Sequence, residues 1–296
     1  MKYGTIFPTC EIGTDPIAIR DFAQAAEALG YSRITAYDHV LGASHEDREP
    51  ALRGPYSERD AFHEPLVLFG FLAAHTSTIE LATGVLVLPQ RQVALVAKQA
   101  TEVDLLSNGR LVLGLGIGWN HVEYAALGTE FANRARRFDE QIDVLRALWR
   151  DDLVAFHGKY HRVDRAGLSP RPARVIPIWF GGSADAAIDR AARVGDGFVF
   201  NRSGPPTLAL AGTLHDKLVA YGRTASGFGL DAFVDFGAGP DGWRPIAASW
   251  AAAGGTMLTI RTMSTTSAIM NVSAPRFTTV DQHIGALEQF IGAVKD

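Results

Sequence analysis

The sequence lacks the features that mark secreted, membrane-spanning and zinc-binding proteins. Its 296 residues include a single cysteine, Cys10, so an internal disulfide and a CxxC zinc motif are both excluded. The longest apolar runs, such as residues 66–74, fall far short of the ~20 residues that span a bilayer. The apolar run after Lys2 is too short for a signal peptide, and we therefore expect a cytoplasmic protein.

A large excess of charge of either sign is also missing. The chain carries 28 basic and 32 acidic residues, a formal net charge of −4, and lysine is scarce among the basic ones. Because there is no basic stripe, nucleic acid is a poor candidate partner. A hydrophobic fraction of 47% with 20% charged residues excludes disorder and provides for a packed core. These features predict a soluble protein that acts on a small molecule.

Strand-like and helix-like segments alternate along the whole chain. Asp15 and Pro16 predict the start of the first helix, apolar residues then recur every three or four positions, and Gly30 ends it. Eight units of about 37 residues favour a closed (β/α)8 barrel formed as one domain by residues 1–296, with an open doubly wound sheet as the alternative. Strands are predicted at residues 3–8, 33–37, 79–88, 111–117, 176–180, 198–200, 230–236 and 256–261.

Residues 151–175 interrupt this alternation with glycine, proline and isolated aromatic residues, which predicts a hairpin-like insertion. In a barrel, the functional side chains lie on the loops that follow the strands, at the C-terminal face. The loops of interest are therefore residues 10–14, 38–63, 84–92, 117–133, 181–183, 201–206, 237–242 and 262–279.

Asp38 and His39 end the second predicted strand, where a barrel places its catalytic groups. A histidine can move a proton near neutral pH, and a neighbouring aspartate can accept a hydrogen bond from a ligand. The same pair could instead satisfy loop backbone. We expect this pair to be catalytic.

Glycines interrupt the apolar strands at two further places. Gly84 lies inside the third predicted strand, which indicates a bulge, a kink or a close approach of backbone to a ligand. Residues 114–120 read GLGIGWN, but the dinucleotide fingerprint needs glycine where Trp119 stands, so we reject a Rossmann site. These glycines would instead let a flat ligand lie against the strand end.

Gly181, Gly182 and Ser183 follow a strand and open a helix, a position that favours an anion; alternatively, Ser183 is an ordinary N-cap. His157 and His161 are four residues apart, but Gly158 between them argues against a helical metal pair, and no metal site is predicted. No Ser-His-Asp or Cys-His arrangement follows from the spacing, so hydrolase chemistry has no support.

In order and spacing, nine blocks of the sequence resemble the luciferase-like monooxygenase superfamily, and most closely its branch that uses the deazaflavin coenzyme F420. The block AYDHVLG at residues 36–42 is characteristic, and residues 201–296 match no motif of the family. The other matching blocks are residues 62–65, 83–92, 97–100, 105–111, 114–120, 123–124, 177–183 and 193–197.

The resemblance implies a (β/α)8 barrel with the tricyclic ring at the C-terminal mouth, resting on a bulge that often carries a non-proline cis peptide, here Gly84–Val85. Asp38 would contact the polar edge of the ring, and His39 would donate or accept the proton. Other residues would bind the rest of the cofactor: Ile117, Gly118 and Asn120 the ring and ribityl chain, and Gly181, Gly182 and Ser183 the phosphate. It also implies a homodimer formed through helices at residues 65–75 and 95–107.

The resulting hypothesis is an F420-dependent oxidoreductase that transfers a hydride between the deazaflavin and a small organic substrate. The alternative is a monooxygenase of the alkanal or sulfonate type that uses reduced FMN and oxygen. A third possibility is a barrel that has no cofactor or merely stores a flavin. Arg48, Arg53 and Arg59 could reach the glutamyl tail of F420 or be solvated. Trp119, Tyr56, Cys10 and Met263 could flank a substrate pocket or serve only packing.

Overall fold

The predicted strands form one closed parallel barrel, which confirms the (β/α)8 fold and excludes the open sheet. The computed structural model describes residues 1–265 and 274–295, so part of the predicted loop 262–279 lies outside the described residues. The barrel strands are β1 (Lys2–Ile6), β2 (Arg33–Ala36), β3 (Glu80–Thr83) with β4 (Leu86–Val87), β5 (Leu111–Gly116), β8 (Ile178–Gly181), β9 (Gly197–Phe200), β10 (Gly229–Asp235) and β11 (Met257–Arg261).

The third predicted strand is the one that differs from expectation. It is broken at residues 84–85 into β3 and β4, which both pair with β5. Pairing of β3 with β5, and of β1 with β11, closes the ring. The break lies at the mouth end of β3, next to the end of β2, with which β3 pairs.

Helices cover the outside of the barrel. The first begins as predicted, with the Asp15 carboxylate accepting the N–H of Ile17 at 2.9 Å and with Pro16 in its first turn. None of the described helices is long and apolar enough to cross a membrane. The helices are α1 (Pro16–Ala28), α2 (Pro65–His75), α3 (Val93–Leu106), α4 (His121–Ala126), α5 (Arg134–Arg150), α6 (Asp185–Val194), α7 (Pro205–Ala220), α8 (Gly239–Ala252) and α9 (Val280–Lys295).

The predicted insertion is confirmed as an antiparallel hairpin of β6 (Val154–His157) and β7 (Arg162–Ala166). Glu140 on α5 holds its turn, because the Glu140 carboxylate accepts the backbone N–H of Lys159 at 2.8 Å and contacts His161 Nδ1 at 3.0 Å. His161 is thus paired with a carboxylate on the outside of the barrel.

A tryptophan closes the N-terminal end of the barrel. The Trp179 indole packs closely against β9 and β10, where Gly197 and Gly229 leave room for it. A side chain at either glycine would overlap the ring. The Arg33 guanidinium stacks on this ring, with its central carbon 4.2 Å from the ring centroid. Burial raises the pKa of the adjacent Asp231 to about 7, although Arg33 opposes the shift. Arg33, Trp179 and Asp231 thus form a compact group near the N-terminal ends of the strands.

Candidate active site at the mouth of the barrel

A cavity of about 490 Å³ opens at the carboxyl ends of the strands, where parallel barrels bind their ligands. Its walls come from the ends of β2, β3, β5, β8, β9, β10 and β11, together with the loop at residues 55–56. A larger cavity, of about 1150 Å³, lies at the N-terminal end. The predicted chemistry-bearing residues line the mouth and not this larger cavity, so we place the candidate site at the mouth.

His39 lines the cavity and is held by a buried carboxylate that sequence reasoning did not single out. Its Nδ1 lies 3.1 Å from Glu123 Oε2, and the Glu123 side chain is 1% exposed. The other oxygen, Oε1, accepts the backbone N–H groups of Val40 and Leu41. Burial by itself raises the pKa of Glu123, but the hydrogen bonds from His39 and the two amides outweigh it and lower that pKa.

An ionised Glu123 can only accept hydrogen bonds, so His39 Nδ1 carries a proton and donates it. Nε2 makes no hydrogen bond to any residue that the structure describes. This nitrogen is therefore the one that can exchange a proton with a molecule in the cavity. The spacing of Asn120 and Glu123 is that of a capping box, which marks the start of α4 but does not indicate His39 as the partner of Glu123.

Aromatic rings enclose His39. The ring centroids of Tyr56, Phe62 and Trp119 lie 5.4, 4.8 and 5.5 Å from that of the imidazole, all edge to face. Tyr56 and Trp119 line the cavity, as one of the two sequence interpretations had it. Cys10 and Met263 instead pack with the apolar cluster inside the barrel. The loop roofs the cavity closely, since a side chain at Gly54 would overlap the Trp119 indole.

Asp38 also lines the cavity, but both of its carboxylate oxygens already have partners within the protein. Oδ1 lies 2.6 Å from Arg91 Nη2, and Oδ2 accepts the backbone N–H of Val87 at 2.8 Å. Arg91 is in turn paired with Glu64 at 2.8 Å. Burial raises the pKa of Asp38, and Arg91 opposes that shift. Asp38 thus ties the end of β2 to β4, just beyond the break in the third strand.

Glycines lie in the wall of the cavity, among them Gly84, Gly116, Gly118 and Gly181. The Gly84–Val85 peptide bond is cis, as the family resemblance implied. The Val85 side chain fills the space above Gly116 and Gly181, since a Cβ at Gly116 would overlap it and one at Gly181 would come within 2.8 Å. Gly118 has a φ of +62°, a conformation that glycine adopts freely. Gly84, Val85, Gly116 and Gly181 together line this part of the cavity.

Ile117 and Gly118 line the cavity, whereas Asn120 lies behind its wall. The Asn120 side chain caps α4 by accepting the N–H groups of Val122 and Glu123 at 3.1 and 3.2 Å. The structure therefore gives this predicted cofactor ligand a structural task, and through α4 it places Glu123.

Gly181, Gly182 and Ser183 lie together at the rim of the cavity, before α6. Ala184 occupies the N-cap position and makes no side-chain cap, so the interpretation of Ser183 as the N-cap is wrong. The first backbone N–H groups of α6 point toward this exposed rim. Asp185 in the first turn is neutralised by Lys217, whose Nζ lies 3.2 Å away. The rim can therefore hold an anionic group.

A second polar group faces the cavity from residues that sequence reasoning missed. Arg261, at the end of β11, makes a bidentate ion pair with Asp235 at 2.8 and 2.9 Å. Its remaining terminal nitrogen donates to the Tyr37 hydroxyl at 3.3 Å. Residues 201–296 match no motif, so no local signal marked Arg261. Within the described part of the chain, no cluster of histidine, cysteine and carboxylate side chains is placed to hold a metal ion.

Comparison with known proteins agrees with this geometry. A profile described as luciferase-like monooxygenase matches residues 1–228. An uncharacterised protein of Mycobacterium tuberculosis is 35% identical over 218 residues, which cover 72% of this chain and 73% of that protein. An F420-dependent glucose-6-phosphate dehydrogenase of Nakamurella multipartita is 31% identical over 216 residues, covering 70% of this chain and 60% of that enzyme.

An FMNH(2)-dependent dimethylsulfone monooxygenase of Pseudomonas fluorescens is 34% identical over 186 residues, covering 62% of this chain and 47% of that enzyme. Among solved structures, the coenzyme F420-dependent tetrahydromethanopterin reductase of Methanopyrus kandleri superposes with a TM-score of 0.76. That superposition covers 99% of this chain and 98% of the reductase at 15% sequence identity, so the likeness is one of fold.

Proposed function

The chain belongs to the luciferase-like monooxygenase family and is an oxidoreductase, and from this premise we propose that it uses coenzyme F420 to transfer a hydride to or from a small organic substrate. The observation that carries the proposal is His39, which is held by Glu123 at Nδ1 with Nε2 left for the cavity. A bound deazaflavin supplies a hydride carried on carbon, and the accompanying proton must be handled by the protein.

The predicted site residues that line the cavity each have a task within the proposal. His39 gives or takes the proton at Nε2, and Glu123 orients it and stabilises its charged form. Asp38 positions β4 rather than reacting, since its oxygens are occupied. Gly84, Val85, Ile117 and Gly118 would hold the ring, and Gly181, Gly182 and Ser183 a phosphate at the rim.

The second candidate function is an FMN-dependent monooxygenase. The 34% identity to the Pseudomonas fluorescens enzyme supports it, because that relative is FMNH(2)-dependent. FMN also has a terminal phosphate that the rim would suit, but it has no glutamyl tail. The two proposals therefore differ in cofactor preference and in the need for oxygen, and both place the ring in the same cavity.

Parallel fluorescence titrations of the purified protein with F420 and with FMN test the proposal. We expect micromolar binding of F420 and none of FMN, and we expect His39→Ala to retain that binding while it slows turnover. The opposite cofactor preference would overturn the deazaflavin proposal in favour of the monooxygenase. Binding of neither compound would overturn both and leave a barrel without a flavin-type cofactor.

We also propose that the protein is a cytoplasmic homodimer of single-domain subunits. Val67 on α2 and Leu95 on α3 are apolar yet 68% and 52% exposed, and these two helices pack side by side. Light scattering should give the dimer mass for the wild type and the monomer mass for Val67→Asp with Leu95→Asp. Val219→Asp on α7, which removes a residue 61% exposed, is the matched control and should stay dimeric. A monomeric wild type would refute the dimer.

A further inference from the structure

The Tyr37 hydroxyl is a hydrogen-bond donor without an acceptor at the cavity mouth. It accepts one hydrogen bond, from Arg261 Nη1 at 3.3 Å. Its own proton has no acceptor among the residues that the structure describes. Burial raises the pKa of Tyr37, although Arg261 opposes that shift, so the hydroxyl keeps its proton. A protonated phenol that lines a cavity and lacks an acceptor is available to a ligand.

The partners of Tyr37 fix the direction of this donor. The Arg261 side chain is 1% exposed, and its two hydrogen bonds to Asp235 hold the planar guanidinium in one orientation. The Tyr37 ring is held between Tyr56 and Phe233, whose centroids each lie 6.4 Å away. Three different strand ends thus position one hydroxyl.

The charges around the hydroxyl indicate what it can bind. Arg261 is the one cationic guanidinium that lines the cavity within the described residues, and Asp235 neutralises it. Asp38 is the one carboxylate in the lining among the described residues, and Arg91 behind the wall neutralises it. The mouth therefore offers a directed hydrogen-bond donor without a net positive charge. Such a site suits an uncharged oxygen better than a phosphate or a carboxylate, whose desolvation it would not compensate.

We propose that the Tyr37 hydroxyl, oriented by Arg261, binds the substrate oxygen and selects uncharged oxygenated molecules with an apolar body. Phe233 and Val199 line the cavity beside it and provide the apolar contact. This inference rests on the proposed function, because it assigns the substrate side of the same cavity. Tyr37 is thus a specificity-determining residue, separate in role from His39.

Ligand-observed NMR tests the inference with three probes that share one apolar ring: cyclohexanone, cyclohexyl phosphate and cyclohexanecarboxylate. Each is titrated against the protein alone and against the protein with saturating F420. We expect cyclohexanone to bind more tightly than the two anions, and Tyr37→Phe to weaken its binding by roughly three- to tenfold. Tyr3→Phe, which loses a tyrosine hydrogen bond to Val294 at the other end of the barrel, should leave it unchanged.

The F420 titration, run on the same variants, keeps the two proposals apart. Tyr37→Phe should bind F420 as the wild type does, because the hydroxyl acts on the substrate. The inference is overturned by equal cyclohexanone affinity in Tyr37→Phe and wild type, by tighter binding of either anion, or by no binding of cyclohexanone at all. Failure of F420 to bind the wild type would instead refute the proposed function, and the probes would still report on Tyr37.

Discussion

The Glu123 carboxylate can be exchanged for an amide of the same shape, and its neighbours dictate how that amide must point. In Glu123→Gln the side-chain carbonyl must stay with the N–H groups of Val40 and Leu41, since an NH2 group placed there would face two donors. The NH2 group then faces His39 Nδ1, where the carboxylate oxygen now lies at 3.1 Å. His39 would be forced to accept at Nδ1 and to carry its proton on Nε2.

The magnitude follows from the kind of hydrogen bond that is lost. A hydrogen bond to a charged group contributes about 1.5–3 kcal/mol. In the proposed reaction Glu123 stabilises the protonated form of His39, so its loss should slow the proton-coupled hydride transfer by roughly 10- to 150-fold. The fold and the F420 affinity should be retained, because the amide keeps the shape and the two backbone contacts.

Nitrogen-15 NMR of histidine-labelled protein reports the tautomer without any substrate, and single-turnover fluorescence of the deazaflavin reports the rate. The hairpin supplies a control for the rate, since Glu140 also contacts a histidine Nδ1, that of His161 at 3.0 Å, but lies on the outside of the barrel. Glu140→Gln should leave the rate and the tautomer of His39 unchanged. The reasoning is refuted if His39 keeps its Nδ1 proton in Glu123→Gln, or if the rate there equals that of the wild type.

Three further predictions concern stability. Burial raises the pKa of Asp231 to about 7, above an unfolded value of about 3.9. The wild type should therefore lose about 4 kcal/mol of unfolding free energy as the pH rises from about 4 to 8. Urea titrations of Asp231→Asn should lack this loss. Burial lowers the pKa of His283 to about 4. The unfolding free energy should therefore fall by roughly 3 kcal/mol as the pH falls from about 6.5 to 4, and His283→Gln should remove this pH dependence. Gly54→Ala should lower the free energy of unfolding by about 1–3 kcal/mol, because its Cβ would overlap Trp119. Gly70→Ala, which has open space around its Cβ, should not lower it. Equal melting temperatures for both variants would contradict this prediction.

The barrel was predictable because its signals are local. Each strand and helix is marked by its own periodicity or caps, as Asp15, Pro16 and Gly30 mark α1. The short helix α4 was not predicted, since six residues are too few to show a helical periodicity. The break in the third strand was anticipated only through Gly84, because an apolar run does not reveal where its pairing stops.

The partners of the site residues could not be predicted, because they lie far away in the chain. His39 was placed at the mouth from its position after β2, but its partner Glu123 is 84 residues away. Asp38 was expected to contact the ring, yet residues 49 and 53 positions along the chain occupy its oxygens. Tyr37 and Arg261 are 224 residues apart, and only closure of the barrel brings them together.

The two buried carboxylates at the mouth are each hydrogen-bonded by main-chain amides, which makes those amides built-in spectroscopic reporters. The Val87 N–H donates to Asp38, and the Val40 and Leu41 N–H groups donate to Glu123. The chemical shifts of these three amides should therefore change when their carboxylate gains a proton or forms a hydrogen bond with a ligand. An ordinary amide spectrum would then follow the protonation of each acid separately, in the free protein and during a titration, with no label placed in the cavity.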